Sequence, residues 1–131
     1  MGSTTFSGPV TSTNGFIGAV TGGVTGDVTG DLNGRVIGTV TTRSGAGAVP
    51  ITAATVRLTT TGANALTLAN GTNGQILSIV MVTDGGDGTL TPTTKTGFTT
   101  ITFGDVGDSV MLQYFTTLGW MILSNNGCTV A

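Results

Sequence analysis

The chain has 131 residues, of which 8% are charged, and a formal net charge of −2, which suits one ordinary domain or a small domain with an appendage. Every acidic residue is an aspartate and histidine is absent, so imidazole bases and the commonest zinc ligands are missing. Arg35, Arg43, Arg57 and Lys95 are scattered and leave no electrostatic footprint for nucleic acid or an anionic membrane surface.

Threonine, valine and glycine dominate the chain, and straight-chain helix formers are scarce. β-Branched side chains suit a pleated strand and glycine suits turns or close backbone approach, so the expected class is all-β. Residues 1–15 read as an N-terminal arm. Met1 to Phe6 lacks a basic stretch and a long apolar run, so no secretory signal is expected there. The longest apolar run, Ile79-Val80-Met81-Val82, is as short as a strand, and a soluble protein is expected.

From Phe16 to Thr39 the sequence reads FIGA-VTGG-VTGD-VTGD-LNGR-VIGT, a repeat of four-residue units. Each unit opens on an apolar residue (Phe16, Val20, Val24, Val28, Leu32, Val36) and carries glycine third (Gly18, Gly22, Gly26, Gly30, Gly34, Gly38). A period of four matches neither strand alternation nor a sustained helix. In a helix each of those glycines would cost about 1 kcal/mol relative to alanine. One such chain cannot bury enough apolar area to offset its ordering entropy, whereas three chains sharing an axis can. Collagen uses glycine at fixed spacing by the same logic, though the period here differs and proline is rare.

Residues 16–41 are therefore read as a β-rich stalk, an intertwined homotrimer. Its interface is expected at Phe16, Val20, Val24, Val28, Leu32 and Val36, with Gly22, Gly26, Gly30 and Gly34 permitting close approach. The alternative is a flexible Gly/Thr linker, although a linker has no need of Val or Leu in strict phase. Fully extended, residues 16–39 would reach roughly 80 Å, and a wound stalk would be much shorter. Residues 42–50, small and closed by Pro50, read as a joint.

From Ile51 the pattern changes to short β runs. Strands are predicted near 52–59, 65–69, 75–83, 89–91, 98–103, 109–116 and 119–124, separated by Gly-, Asn- and Asp-rich turns. That number of strands over 51–131 predicts a small sandwich or partly closed barrel.

Candidate chemistry is sparse. Asp105 and Asp108 are the nearest thing to a carboxylate pair for glycoside hydrolysis, but aspartates beside turn glycines ordinarily bond their own backbone. The loop Asp84-Gly85-Gly86-Asp87-Gly88 offers oxygen ligands for calcium without the spacing of an EF-hand. Asp27 and Asp31, four apart, would form acidic rings in a trimeric stalk. Gly85, Gly86 and Gly88 lack the strand–loop–helix setting of a phosphate cradle. Trp120, Tyr114 and Phe115 are either a carbohydrate platform or core and interface residues. Cys128, the sole cysteine, offers no intrachain disulfide and no thiolate metal site. No catalytic, metal or cofactor-binding residue is expected, and the protein is not expected to be an enzyme.

The VTGD-VTGD tetrads resemble those of tailed-phage virion proteins and head or tail fibres, especially from phages of marine bacteria. The stretch from Leu66 to Gly127, with its Gly74-Gln75 step, "TLTPT", "TITF", "VGDSV" and Trp-containing final strand, is similar to a module recurring in such proteins. The resemblance covers roughly residues 16 to 131. It implies a structural protein assembled in the host cytoplasm and located on the virion, usually as a trimer, with no catalytic residues. The expected role is capsid decoration or cement on the phage head. Its partners would be its own copies and the major capsid protein or another virion protein, with no nucleic acid and no membrane. The alternative is a minor head or tail fibre component that contacts host surface glycans.

Overall fold

Strands form where β-branched and apolar residues alternate with small polar ones, because each pleat sends successive side chains to opposite faces. The computed structural model describes Ser7 and residues 34–131, and every regular element within them is a strand. In chain order these are β1 (Val40–Ser44), β2 (Gly47–Ala48), β3 (Thr55–Thr59), β4 (Asn64–Leu68) and β5 (Ile76–Thr83). They continue with β6 (Gly88–Pro92), β7 (Ile101–Phe103), β8 (Ser109–Phe115), β9 (Gly119–Asn126) and β10 (Thr129–Val130). Burial follows the pleat. β8 buries Val110, Leu112 and Tyr114 while Met111 between them stays exposed.

The strands build two five-stranded sheets, the first in the order β1-β3-β5-β8-β9 and the second in the order β10-β7-β6-β4-β2. The chain crosses between them repeatedly. β1, β3 and β5 are parallel neighbours in the first sheet, while β2, β4 and β6 are parallel neighbours in the second. Each of the pairs β1/β2, β3/β4 and β5/β6 is thus one rung of a short coil, and the rungs stack in register. Val40 pairs with Thr55 and Thr55 with Ser78; Gly47 pairs with Leu66 and Leu66 with Leu90. The chain then reverses. β7 runs antiparallel to β6, and β8 antiparallel to β5, with β9 and β10 adding the outermost rung.

The inward residues of both sheets make one core, including Val56, Leu58, Leu77, Ile79 and Leu112 from the first sheet and Leu66, Leu68, Leu90, Ile101 and Phe103 from the second. Each fully buried aliphatic or aromatic side chain contributes about 1.5–3 kcal/mol relative to exposure. In the first sheet the apolar stripe stops at β1, where Thr41 and Arg43 stand in register with Val56 and Leu58. The Nε of Arg43 is buried there without a hydrogen-bond partner.

Rung stacking demands close arches. A Cβ on Gly86 would lie 2.7 Å from the carbonyl carbon of Gly62 in the arch below, and Gly86 itself has φ of 135°. Only glycine combines that approach with that backbone. The arches are stitched by bonds from Gly85 N to Thr60 Oγ1 (2.9 Å) and from Asn64 N to Asp87 O (2.8 Å).

Residues 35–131 form one compact unit. The sandwich expectation and the predicted strands from 52–59 to 119–124 correspond to β3 to β9. Residues 42–50 differ from the joint expected there: they hold the end of β1 and all of β2, which pair with β3 and β4. Short, glycine-rich strands carry too few apolar residues to stand out locally, and they persist because a neighbouring rung supplies their hydrogen bonds. The arm at 1–15, Ser7 excepted, and the repeat through residue 33 lie outside the described residues.

Candidate functional site

The strand directions gather the arches at 45–46, 60–63, 84–87, 104–108 and 127–128 at one end of the sandwich. All four described aspartates lie in these arches. The Asp108 carboxylate (Oδ2) accepts from Gly104 N (2.8 Å) and Asp105 N (3.1 Å), closing its own turn. Asp84 Oδ1 accepts from Gly86 N at 2.8 Å, which makes the same local closure. Both carboxylates are thereby held by backbone donors. Among the described residues, no group of three or more His, Cys, Asp or Glu side chains is placed to hold a metal ion.

Trp120 is fully buried, and its indole Nε1 donates to Ala69 O at 2.8 Å. Its ring meets Tyr114 edge-on, with centroids 5.3 Å apart and planes at 66°. Tyr114 is buried and Phe115 half-buried. Of the two sequence readings for these aromatics, Trp120 and Tyr114 take the core one. A platform for sugars needs an open ring face, and here the loop at 69–71 lies over the indole. Cys128 is also buried, and that burial, aided by the charge of Asp108, pushes its thiol up to about 11.

The outward faces of the two sheets differ. The second sheet shows threonine and alanine: Ala65 and Thr67 on β4, Thr89 and Thr91 on β6, Thr102 on β7. The first sheet mixes polar residues (Thr55, Arg57, Ser78, Ser109, Gln113, Ser124, Asn126) with long apolar side chains. Ile76 is 50% exposed, Met111 38% and Leu123 50%, with Val80 and Met121 half-buried beside them. The register explains the grouping, since Ile76 pairs with Gln113 and Gln113 with Met121, while Met111 pairs with Ser124. Leu123 is the extra residue of a bulge between Ile122 and Ser124. Arg57, in register with Val80, is the charged residue of this face.

Of the expected stalk positions, Gly34 and Val36 are described, and both are exposed. Phe16, Val20, Gly22, Val24, Gly26, Val28, Gly30 and Leu32 lie outside the described residues. Val36 and Ile37 are 77% and 74% exposed in the single chain. The last tetrad ends on the sandwich: Thr39 O accepts from both Ala54 N and Thr55 N at 3.0 Å, and a Cβ on Gly38 would strike the Cβ of Ala54.

The apolar face of the first sheet was not singled out from the sequence. Its signal is the stretch Ile76–Val82, which is apolar in both phases of the alternation except at Ser78. A strand with one solvated face shows a clean alternation instead. In comparisons with known proteins, no family model matches the chain and no curated protein matches it.

Proposed function

We propose that the protein is a non-enzymatic structural component of a tailed-phage virion, a homotrimeric decoration or cement protein on the head surface. The observation that carries this reading is apolar surface left uncovered among the described residues. Val36 and Ile37 stand exposed at the junction of repeat and sandwich, and the first sheet turns Ile76, Met111 and Leu123 outward. Exposed large apolar side chains in such number favour an interaction surface. The tetrad repeat supplies the second line of support, because its apolar phase makes sense when several chains share an axis.

Attachment to the capsid then rests on apolar burial and strand addition at sheet edges rather than on ion pairs. Among the described residues β1 forms an edge of the first sheet, and Arg43, turned inward in register with Leu58, is the one charged residue on that edge strand. The alternative role, a fibre component contacting host glycans, draws less support, since Trp120 is enclosed by the fold.

The deciding experiment is the copy number of this protein per purified particle relative to the major capsid protein, by quantitative mass spectrometry. Hundreds of copies support decoration of the capsid lattice. A few to a few dozen copies would shift the reading to a fibre or tail component, and absence from the particle would overturn the virion reading.

A further inference from the structure

We propose that Asn70 is a site of spontaneous covalent modification, where the backbone amide of Gly71 attacks the Asn70 side chain, and that the isomerised product opens the loop over Trp120. The proposal concerns the sandwich alone and does not depend on the virion reading.

In an Asn-Gly pair the glycine has no Cβ to shield its amide nitrogen or restrict its backbone, so that nitrogen can reach the preceding side-chain carbonyl. Gly71 N, deprotonated by solvent hydroxide, forms a bond to Asn70 Cγ. The Cγ–Nδ2 bond breaks, ammonia leaves, and a succinimide ring closes. Water then adds at either ring carbonyl. Breaking the new bond from Cγ to Gly71 N gives aspartate with the normal backbone. Breaking the original peptide bond instead leaves Gly71 joined through the side chain, as isoaspartate, with an extra carbon in the backbone. The net change is water in and ammonia out, with no oxidation or reduction.

The fold grades the Asn-Gly pairs of the sandwich, which are Asn70-Gly71, Asn73-Gly74 and Asn126-Gly127. Gly74 N donates to Tyr114 O at 2.8 Å, and Asn73 Oδ1 accepts from Thr116 N at 3.1 Å. Both reacting groups are tied to other elements and must be released before a ring can close. Asn126 lies in β9 paired with Ser109, and its Nδ2 donates to Gly107 O at 3.2 Å. The Asp108 carboxylate lies against Gly127, and its charge disfavours the amide anion that ring closure requires. Asn70 differs. Its side chain is exposed, and among the described residues neither that side chain nor Gly71 N takes part in a hydrogen bond.

Packing explains both why glycine stands at 71 and why isomerisation has a consequence. A Cβ on Gly71 would lie 2.7 Å from Gln75 Oε1 and 2.9 Å from the Trp120 ring, so a larger residue does not fit where the loop crosses the indole. The loop is anchored on either side of the reactive pair. Ala69 O accepts from Trp120 Nε1 at 2.8 Å, and Thr72 N donates to Gln75 Oε1 at 2.9 Å. An extra backbone carbon between these anchors finds no spare volume in a close-packed site. It therefore displaces Gly71 from the indole or breaks the bond from Trp120 to Ala69. Aspartate with a normal backbone has no such effect, because its side chain stays in solvent.

The test uses the full chain, held folded in mildly alkaline heavy-oxygen water, with a parallel sample in urea. Peptide mass spectrometry reads oxygen incorporation at each asparagine and separates aspartate from isoaspartate. In urea, where nothing holds the reacting groups, the pairs should react within about threefold of one another. In the folded chain Asn70 should react at least about tenfold faster than Asn73 or Asn126, whose reaction waits on local opening. As isoaspartate accumulates at position 70, acrylamide quenching of the single tryptophan should rise in proportion. Asn70→Asp should keep wild-type quenching, and Asn70→Ser should show no rise over the same incubation.

The proposal is overturned if Asn70 in the folded chain reacts no faster than Asn73 and Asn126. It is also overturned if quenching keeps its starting value once isoaspartate has formed at position 70. A rise that Asn70→Ser reproduces would trace the change to another site and remove the role of this loop.

Discussion

Replacing Trp120 with phenylalanine tests the architecture where three elements meet. The indole is fully buried, donates to Ala69 O at 2.8 Å, and lies edge-on to Tyr114. Phenylalanine keeps an aromatic ring there but removes the donor and part of the volume. A buried carbonyl left without its partner costs about 1–3 kcal/mol, and the residual cavity adds about 1 kcal/mol, for a total of about 2–4 kcal/mol. Domains of this size have about 5–15 kcal/mol to lose, and each kcal/mol shifts the midpoint by about 4–8 °C, so Tm should fall by roughly 8–32 °C.

The assay is urea unfolding followed by far-UV circular dichroism at one fixed protein concentration, because the stability of an oligomer depends on concentration. The wild type offers a second probe. Its emission comes from a single tryptophan and should be blue-shifted and resistant to acrylamide until the cooperative transition. A loss below about 0.5 kcal/mol with an unchanged denaturant slope would refute the reasoning, because it would mean that the indole is neither enclosed nor bonded to the loop at 69–71.

Gly86→Ala should cost about 2 kcal/mol or more in the same denaturation assay, since it combines φ of 135° with a Cβ 2.7 Å from the Gly62 carbonyl carbon. Cys128 should resist a thiol reagent at pH 8 in the folded protein and react at once in urea, because its thiol is buried and pushed up to about 11. Its contribution to stability has a definite sign. The folded pKa lies above the ordinary value of 9.0, so the unfolded chain releases its proton first, and stability present below pH 9 is lost as pH rises through about 11. A Cys128→Ala variant should lack that alkaline slope in unfolding measured against pH. Binding to particles should survive a few hundred millimolar salt in a sedimentation assay, whereas release by such salt would point to ion pairs instead of apolar burial.

Local pattern carried much of the fold. Alternation in TVRLT, NALTL and SVMLQYF is readable residue by residue, because burying one face of a pleat imposes a period of two. The turns were equally legible, yet Asp84-Gly-Gly-Asp-Gly looks alike whether it closes a hairpin within one sheet or an arch between two. Glycine and aspartate serve the backbone in both. Here it is an arch, and the parallel order β1-β3-β5 follows from that.

The sequence by itself determined the all-β class, the strands from β3 to β9 and the absence of histidine chemistry, since composition and short-range periodicity suffice for each. Tertiary structure decided what depends on partners distant in the chain. β1 and β2 exist because the next rung supplies their hydrogen bonds, Asp108 became a turn acceptor, and Trp120 went inside beneath the loop at 69–71. It also decided which outward face is apolar. That property belongs to Ile76, Met111 and Leu123 together, and they become neighbours only when β5, β8 and β9 lie side by side.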